Sequence, residues 1–412
     1  MRSDSSPARK LPNPSPSPYR PPERDRNEKH SMPYKVKKRL KLFSVRQGMD
    51  MPFLFLVLLL VVLGLIMMFS ASYPSAYAYT GNSYSYLLKQ SGYAAFGVFV
   101  MIGLSYFDYH HFHKLTYFVV GIAILALLAV LVLPSRGVRR WIYLGPVTIQ
   151  ASEIAKFAAI LFLAHWGSTH FKKMDTFVYG VLPPIILLVV FSLLLILEPH
   201  YSGIVIMLLL VALMMFISGV KMRYFIIAGA LIAVAILGLA VTGKLSYAMT
   251  RLAGWGQALE YTTEEMWQDT YQTRNSLYAI GSGGFWGLGF GQSRQKFLYI
   301  PEVQNDFVFS VVCEELGFIG AAVILCVFAL LVLRGITISM RAKDKFGSLL
   351  GIGLSAQIGL QVILNIMVIT DWLPNTGISL PFFSYGGSSL VTLLAQMGIV
   401  LSISRTSVIN NN

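Results

Sequence analysis

Apolar runs of about 18 residues or more recur from position 52 almost to the end of the chain, beginning with "PFLFLVLLLVVLGLIMMFSAS". Each is long enough to cross the hydrocarbon of a bilayer, which takes about 20 helical residues. Lipid offers no water to pair backbone N–H and C=O groups, so an open sheet is excluded and each run must be a helix. Composition agrees: 55% of the 412 residues are hydrophobic and 13% are charged, about half the charged share of a soluble domain. The fold class is therefore all-α, a polytopic membrane protein. Ten transmembrane helices are predicted, near 52–72, 91–107, 114–133, 150–167, 176–197, 202–219, 223–242, 306–333, 347–370 and 385–404.

An even count puts both termini on one side, and charge says which. Residues 1–50 hold 13 Lys and Arg against 5 Asp and Glu and are rich in Pro and Ser ("LPNPSPSPYRPPERDR"). Without a periodic apolar face this stretch reads as a disordered basic tail. Its end, "YKVKKRLKLFSVR", suits an anionic membrane surface. A basic cluster can also bind nucleic acid, but direct abutment on a span decides for the membrane. Cytoplasmic segments carry the excess of positive charge, so the tail 1–50 and a short tail 406–412 are placed in the cytoplasm, flanking a membrane domain of 51–405. Lys and Arg elsewhere divide nearly evenly between the two sides, and the orientation rests on the tail. Ala76-Tyr77-Ala78 resembles a signal-peptidase site. An n-region of about 50 residues and an apolar run of about 19 are too long for a cleaved signal, and the first span reads as an uncleaved anchor. Cys313 and Cys326 fall in one predicted helix, about 20 Å apart, too far to pair.

Two external loops stand out in this topology. Residues 243–305 form one large loop between the seventh and eighth spans, and loops of that length translocate regardless of charge. The short loop "PSRGVRRWIYLG" breaks the charge rule, which points to Arg139 and Arg140 as ligand contacts. The large loop contains Trp255, Trp267 and Tyr271, residues suited to the membrane interface. Its Gly-rich "GSGGFWGLGFGQS" lacks the Gly-Lys-Ser/Thr of a nucleotide loop and reads as tight turns with close backbone approach.

Polar residues inside apolar runs carry more information. Glu153 and Lys156, in "TIQASEIAKFAAILFLAHW", are three apart and share one helical face. They are either a structural pair near the interface or part of a polar site, since ionisable groups within spans usually face a cavity. Glu198 and His200, in "LEPHYSG", read as a plain interfacial turn. "DWLPNTGISLPFFSYGGSSL" cannot start an ordinary helix and is either a re-entrant or kinked segment beside an external cleft or plain packing. Asp306, in "PEVQNDFVFSVVCEELG", stands where the eighth run begins. It is either a helix cap or a reactive carboxylate.

The blocks "GVRRWIYLGPVTIQASEIAK", "YAIGSGGFWGLGFGQSRQKFLYIPEVQNDFVFSVVCEELGFIG" and "TGISLPFFSYGGSS" resemble the hallmark blocks of the SEDS family, the FtsW, RodA and SpoVE proteins of bacterial cell-wall synthesis. The resemblance spans residues 50–405 in the correct order, and its "PEVQNDF" and "GQSRQKF" blocks look closer to the FtsW and SpoVE branch. It implies ten transmembrane helices and a peptidoglycan glycosyltransferase that polymerises lipid II outside the membrane. It implies partnership with a class B penicillin-binding protein and other membrane proteins of division or sporulation, at the septum, and Asp306 as the essential carboxylate. One departure matters: the family commonly reads Pro-Asp-x-Gly where this chain has Pro199-His200-Tyr201-Ser202-Gly203, so no role of that aspartate carries over.

A transferase outside the membrane has no nucleotide sugars, so its donor must be a polyprenyl-diphosphate-linked glycan that arrives activated. The reaction needs a base for the attacking hydroxyl, a help typically worth about 10² to 10⁴ in rate, and cations for the departing diphosphate. Asp306 is the expected base. Lys156 is expected to pair with it when substrate is absent, with Glu153 orienting Lys156. Arg139 and Arg140 are the expected clamps, because guanidinium makes paired hydrogen bonds to phosphate. Arg294 and Lys296 are weaker candidates of the same kind, and Ser152, Gln272 and Ser384 complete the substrate-binding set. No cluster has metal-ligand spacing and no cofactor is expected, although a divalent ion accompanying the diphosphate stays open. The rival readings are a lipid II flippase, which requires a cavity reachable from both sides, and a scaffold that only docks the penicillin-binding protein.

Overall fold

The structure, a computed structural model, describes residues 48–133, 140–144, 147–241, 255–260, 267–268 and 270–406. The predicted tail as far as residue 47, the loop at 242–254 and the last six residues lie outside them. Each of the ten predicted runs coincides with a helix. α1 (Met51–Thr80), α2 (Ser85–Tyr106) and α3 (His110–Val132) come first. α4 (Ala151–Thr169), α5 (Leu182–Leu197), α6 (Tyr201–Ile217) and α7 (Met222–Val241) follow. A shorter helix, α8 (Tyr271–Gly283), lies in the large loop, and α9 (Val308–Met340), α10 (Lys345–Ile369) and α11 (Gly387–Thr406) complete the chain. Among the described residues, seven are long and apolar enough to cross a membrane: α1, α2, α3, α5 with the π-helical turn Phe177–Val181 before it, α9, α10 and α11. α4 falls short because it carries Glu153 and Lys156, and α6 has only 17 residues. This is a multi-pass membrane protein.

Local chemistry starts the helices. Asp50 caps α1 by accepting from the Phe53 N–H at 3.0 Å, while its two oxygens take the Arg334 guanidinium at 3.1 and 2.7 Å. Asp344 caps α10 through the Gly347 N–H at 3.0 Å. Each side-chain oxygen satisfies a donor that the first turn leaves unpaired.

A two-stranded antiparallel hairpin, β1 (Trp141–Leu144) and β2 (Val147–Gln150), precedes α4, with Trp141 opposite Gln150. The sequence reading did not foresee it. Four-residue strands leave too little alternating pattern beside a helical run of 19. The Gln150 N–H donates to Ser388 Oγ at 3.3 Å, which docks the hairpin on the start of α11.

The eighth run is corrected in two ways. Its helix begins at Val308 with Phe307 at the N-cap, so Asp306 lies outside it, and Gly317 interrupts it at φ 67°, ψ −171°. The short outer piece carries Glu314 and Glu315, both buried. Glu315 accepts from Lys296 Nζ at 2.7 Å and from Ser70 Oγ at 2.7 Å. Glu314 accepts from Ser293 Oγ and, at 2.9 Å, from the Arg294 N–H. These two carboxylates pin "GQSRQKF" against α1 and α9, because ions in a dry interior persist only when paired. Lys296 is fully buried in this network, so its expected role as a diphosphate clamp is withdrawn. The glycine turns do bring backbones together: a Cβ at Gly287 would lie 2.2 Å from the Glu315 carbonyl oxygen, and one at Gly317 would lie 2.3 Å from the Gly287 nitrogen.

Two stability outcomes follow from this junction. Gly287→Ala meets backbone on a position with φ 80°, and a loss of roughly 2–4 kcal/mol is expected, seen as a lower melting temperature in detergent. Glu315→Gln strands the Lys296 ammonium, with an expected loss of about 3–5 kcal/mol. Adding Lys296→Met to that variant should recover much of it, which a thermal melt of the single and double variants measures.

Candidate active site

Asp306 is placed by its backbone. Asn365 Nδ2 on α10 donates to the Asp306 carbonyl at 2.8 Å and to the Ile378 carbonyl at 2.6 Å. Two residues earlier, the Gln304 carbonyl accepts from the Tyr385 N–H at 2.8 Å. The run of turns leading in is strained, with Leu298 at φ 66° and Glu302 at φ 47°. On the far side lies the non-helical stretch 371–386 between α10 and α11, whose Ile378, Leu380, Phe382 and Phe383 are buried. Gly377 (φ 70°) faces the carboxylate: a Cβ there would stand 3.0 Å from Asp306 Oδ2.

The carboxylate itself is uncommitted. Phe307 is the N-cap of α9 and has no side-chain cap bond, so Asp306 is not a cap. Among the described residues no hydrogen bond reaches its oxygens. Asp306 is half-buried, with protein packed round it and a remaining opening. Burial raises its pKa to about 6, against the pull of Arg140 and with a small push from Glu302.

Arg140 stands just ahead of β1 and joins three groups. Its Nη2 donates to the Pro199 carbonyl at 2.7 Å, and its Nε has no protein partner. Beside it, both oxygens of the fully buried Glu198 also lack a protein partner. Burial pushes the Glu198 pKa up to about 8, opposed by Arg140. Burial, then the charges of Arg140 and Lys156, push His200 down to about 3. At neutral pH this turn therefore presents a protonated acid and a neutral imidazole beside one guanidinium. Through Arg140 the turn is linked electrostatically to Asp306.

Lys156 belongs to Glu153, with Nζ 2.7 Å from Oε1 and both side chains about 4% exposed. The expected Lys156–Asp306 pair is not formed, because the carboxylate one turn away on the same helix takes the ammonium. Ser152 is buried next to this pair, its hydroxyl without a protein partner. Gln272 accepts from Asn375 Nδ2 at 2.7 Å, linking α8 to the 371–386 stretch. Ser384 accepts from the Leu380 N–H at 2.7 Å and serves as a turn residue. Arg294 is exposed on the loop that Glu314 anchors, Lys296 is locked away as described, and Arg139 lies outside the described residues. Glu314, Glu315 and Asn365 are not singled out by the sequence, and Glu198 is, as part of a turn. The two adjacent glutamates in an apolar run were a usable signal, since buried carboxylates require partners.

Comparison with known proteins identifies the family and the fold. The family model of the FtsW, RodA and SpoVE cell cycle proteins matches residues 50–408. Stage V sporulation protein E of Bacillus subtilis is 35% identical over 366 residues, covering 87% of this chain and 97% of that protein. A probable peptidoglycan glycosyltransferase FtsW of Geobacter sulfurreducens is 35% identical over 360 residues, covering 86% and 95%. Among solved structures, a chain of a peptidoglycan synthase complex matches with TM-score 0.71 at 28% identity over 88% of this chain and 99% of its own. The rod shape determining protein RodA of Thermus thermophilus matches with TM-score 0.62 at 28% identity, covering 88% and 98%. With the family model spanning the whole membrane domain and relatives at 35% identity matched over nearly their full length, this chain belongs to the FtsW, RodA and SpoVE family, on its FtsW and SpoVE branch.

Proposed function

We propose that this chain is a peptidoglycan glycosyltransferase that polymerises lipid II on the outer face of the cytoplasmic membrane, with Asp306 as general base. The observation that carries the reading is the Asp306 carboxylate: held by its backbone, without a hydrogen bond from the described residues, half-open, and within the field of Arg140. A base must be ionised yet basic near the working pH, and a pKa of about 6 meets both needs. The attacking sugar hydroxyl gives its proton to Asp306 as its oxygen bonds to the anomeric carbon. The bond from that carbon to the lipid diphosphate breaks, and the configuration inverts.

The departing diphosphate needs uncompensated positive charge. Arg140 supplies it because its acidic neighbour Glu198 is protonated, with a pKa of about 8. Arg139 is proposed as the second clamp and Arg294, on the anchored loop, as an outer contact. Lys156, oriented by Glu153, lies deeper, with Ser152 beside it. Gln272 and Ser384 shape the opening through the bonds already described.

The flippase alternative needs a passage reachable from both sides. One turn deeper than Lys156 three helices are in contact: a Cβ at Gly353 on α10 would lie 2.6 Å from Ile160 of α4 and 2.7 Å from Met214 of α6. That packing favours the transferase. A class B penicillin-binding protein is the proposed cross-linking partner, within division or sporulation assemblies at the septum. Both termini, including the basic tail 1–50, are proposed to be cytoplasmic.

Purified protein, supplied with its class B partner and labelled lipid II, tests the reading by polymer on a gel. Asp306→Asn should lower the rate about 10² to 10⁴-fold, and normal polymer from this variant would overturn the assignment. The same substitution should not lower the melting temperature: a carboxyl whose pKa is raised on folding destabilises the fold once ionised, and Asn removes that charge. Activity should rise with pH through about 6 as Asp306 ionises. In Arg140→Gln the loss of a stabilising cation should move this limb to higher pH, which a pH–rate profile of the residual activity reads directly.

A further inference from the structure

α10 carries three buried amides in a row, Gln357, Gln361 and Asn365. Positions four apart advance about 40° round a helix of 3.6 residues per turn, so the row winds slowly across its face. Contacts fix both ends. Gly353, one step before Gln357, packs on Ile160 and Met214 at the distances given above, and Asn365 holds the Asp306 carbonyl. The row therefore runs from the seam between α4 and α6, in the middle of the bundle, out to the candidate base. α4 begins at the end where α10 finishes, so the two run antiparallel. Lys156, one turn nearer the site than Ile160, stands level with Gln357. Ser152 and Glu153 stand level with Gln361.

Polar atoms along this seam outnumber the partners that protein supplies. Both polar atoms of Gln357 are buried with no protein partner, as are Gln361 Oε1, Asn365 Oδ1, Glu153 Oε2 and Ser152 Oγ. Native interiors satisfy such atoms with protein or with ordered water. Here the set mixes amide donors, carbonyl acceptors, a carboxylate oxygen and a hydroxyl, which matches water rather than any one ion.

We propose that this seam holds a file of ordered water that enters beside Asp306 and ends at the Gly353–Ile160–Met214 packing. The water solvates the Glu153–Lys156 pair from the site side alone. The pair then exchanges its hydrogen bonds with water from the site end, while the apolar Gly353–Ile160–Met214 packing separates it from the opposite side.

Radiolytic oxidation in oxygen-18-labelled water, with the full-length protein in lipid nanodiscs, tests this at methionine sulfur. Met207 and Met214 lie on one face of α6, two turns apart, and both are fully buried. Met101, equally buried between α2 and α11, is the dry control, and the exposed Met222 is the wet one. A water file predicts label at Met207 about tenfold or more above Met101. It also predicts a fall toward the Met101 level in Gln361→Leu. Label at Met207 and Met214 no faster than at Met101, with Met222 labelled, would overturn the proposal on wild-type protein alone. A thermal melt gives a second criterion. Leu in place of an unpaired amide raises the melting temperature of a dry seam, whereas a hydrated seam gains nothing. Neither readout measures polymer, so the water file stands or falls independently of the transferase reading.

Discussion

Asn365 donates to two carbonyls that belong to different parts of the chain, Asp306 just ahead of α9 and Ile378 in the stretch before α11. The bond to the Ile378 carbonyl is buried and the bond to the Asp306 carbonyl partly so, and an amide–carbonyl bond out of bulk water is expensive to lose. The consequence is a division of labour within one residue. Main-chain bonds fix where Asp306 stands, and its side chain is spared. Gly377 completes the arrangement, because any larger residue in its left-handed conformation would crowd the carboxylate. A carboxylate held through its backbone leaves both oxygens open and loses no geometry when it changes protonation.

Arg140 governs the electrostatics of the same region. Its charge opposes the burial of Asp306 and Glu198 and adds to that of His200. Two carboxyl groups near one guanidinium end at different values, both raised by burial and both opposed by Arg140: Asp306 at about 6 and Glu198 at about 8. Environments that separate the pKa values of neighbouring acids are how one site assigns different tasks to identical chemistry. Here Asp306 is ionised near neutrality, and Glu198 stays neutral and leaves the guanidinium unneutralised.

The helices were legible because lipid permits so few backbone solutions that apolar length alone locates them. The Glu153–Lys156 pair was legible for the same local reason, a spacing of three on one face. What failed was long-range. Lys296 sits in a loop sequence and reads as solvent-facing, yet the fold buries it against Glu315, and nothing local announces that contact. Asp306 read equally well as a cap, since a boundary placed two residues early made it one. Only the family blocks separated the readings before the α9 boundary did. The β1–β2 hairpin escaped because eight residues in two strands give no periodic signal, and Asn365 because one amide in an apolar run looks like an ordinary interior polar residue.

A lipid-linked sugar sets a geometric demand that tells enzyme from transporter. Its tail stays in the bilayer and its saccharide in water, so a polymerase needs polar depth from one side, whereas a transporter needs a route through. In this fold polar residues reach inward along α4 and α10 as far as Lys156 and Gln357, and the next turn is apolar and in contact. Gly353 is what permits that contact, since a side chain there would hold α10 off Ile160 and Met214. Opening the route would require separating α10 from both α4 and α6, helices packed along their buried faces. Polar residues that stop at a glycine-tight contact between α10, α4 and α6 fit the demand of a polymerase better than that of a transporter.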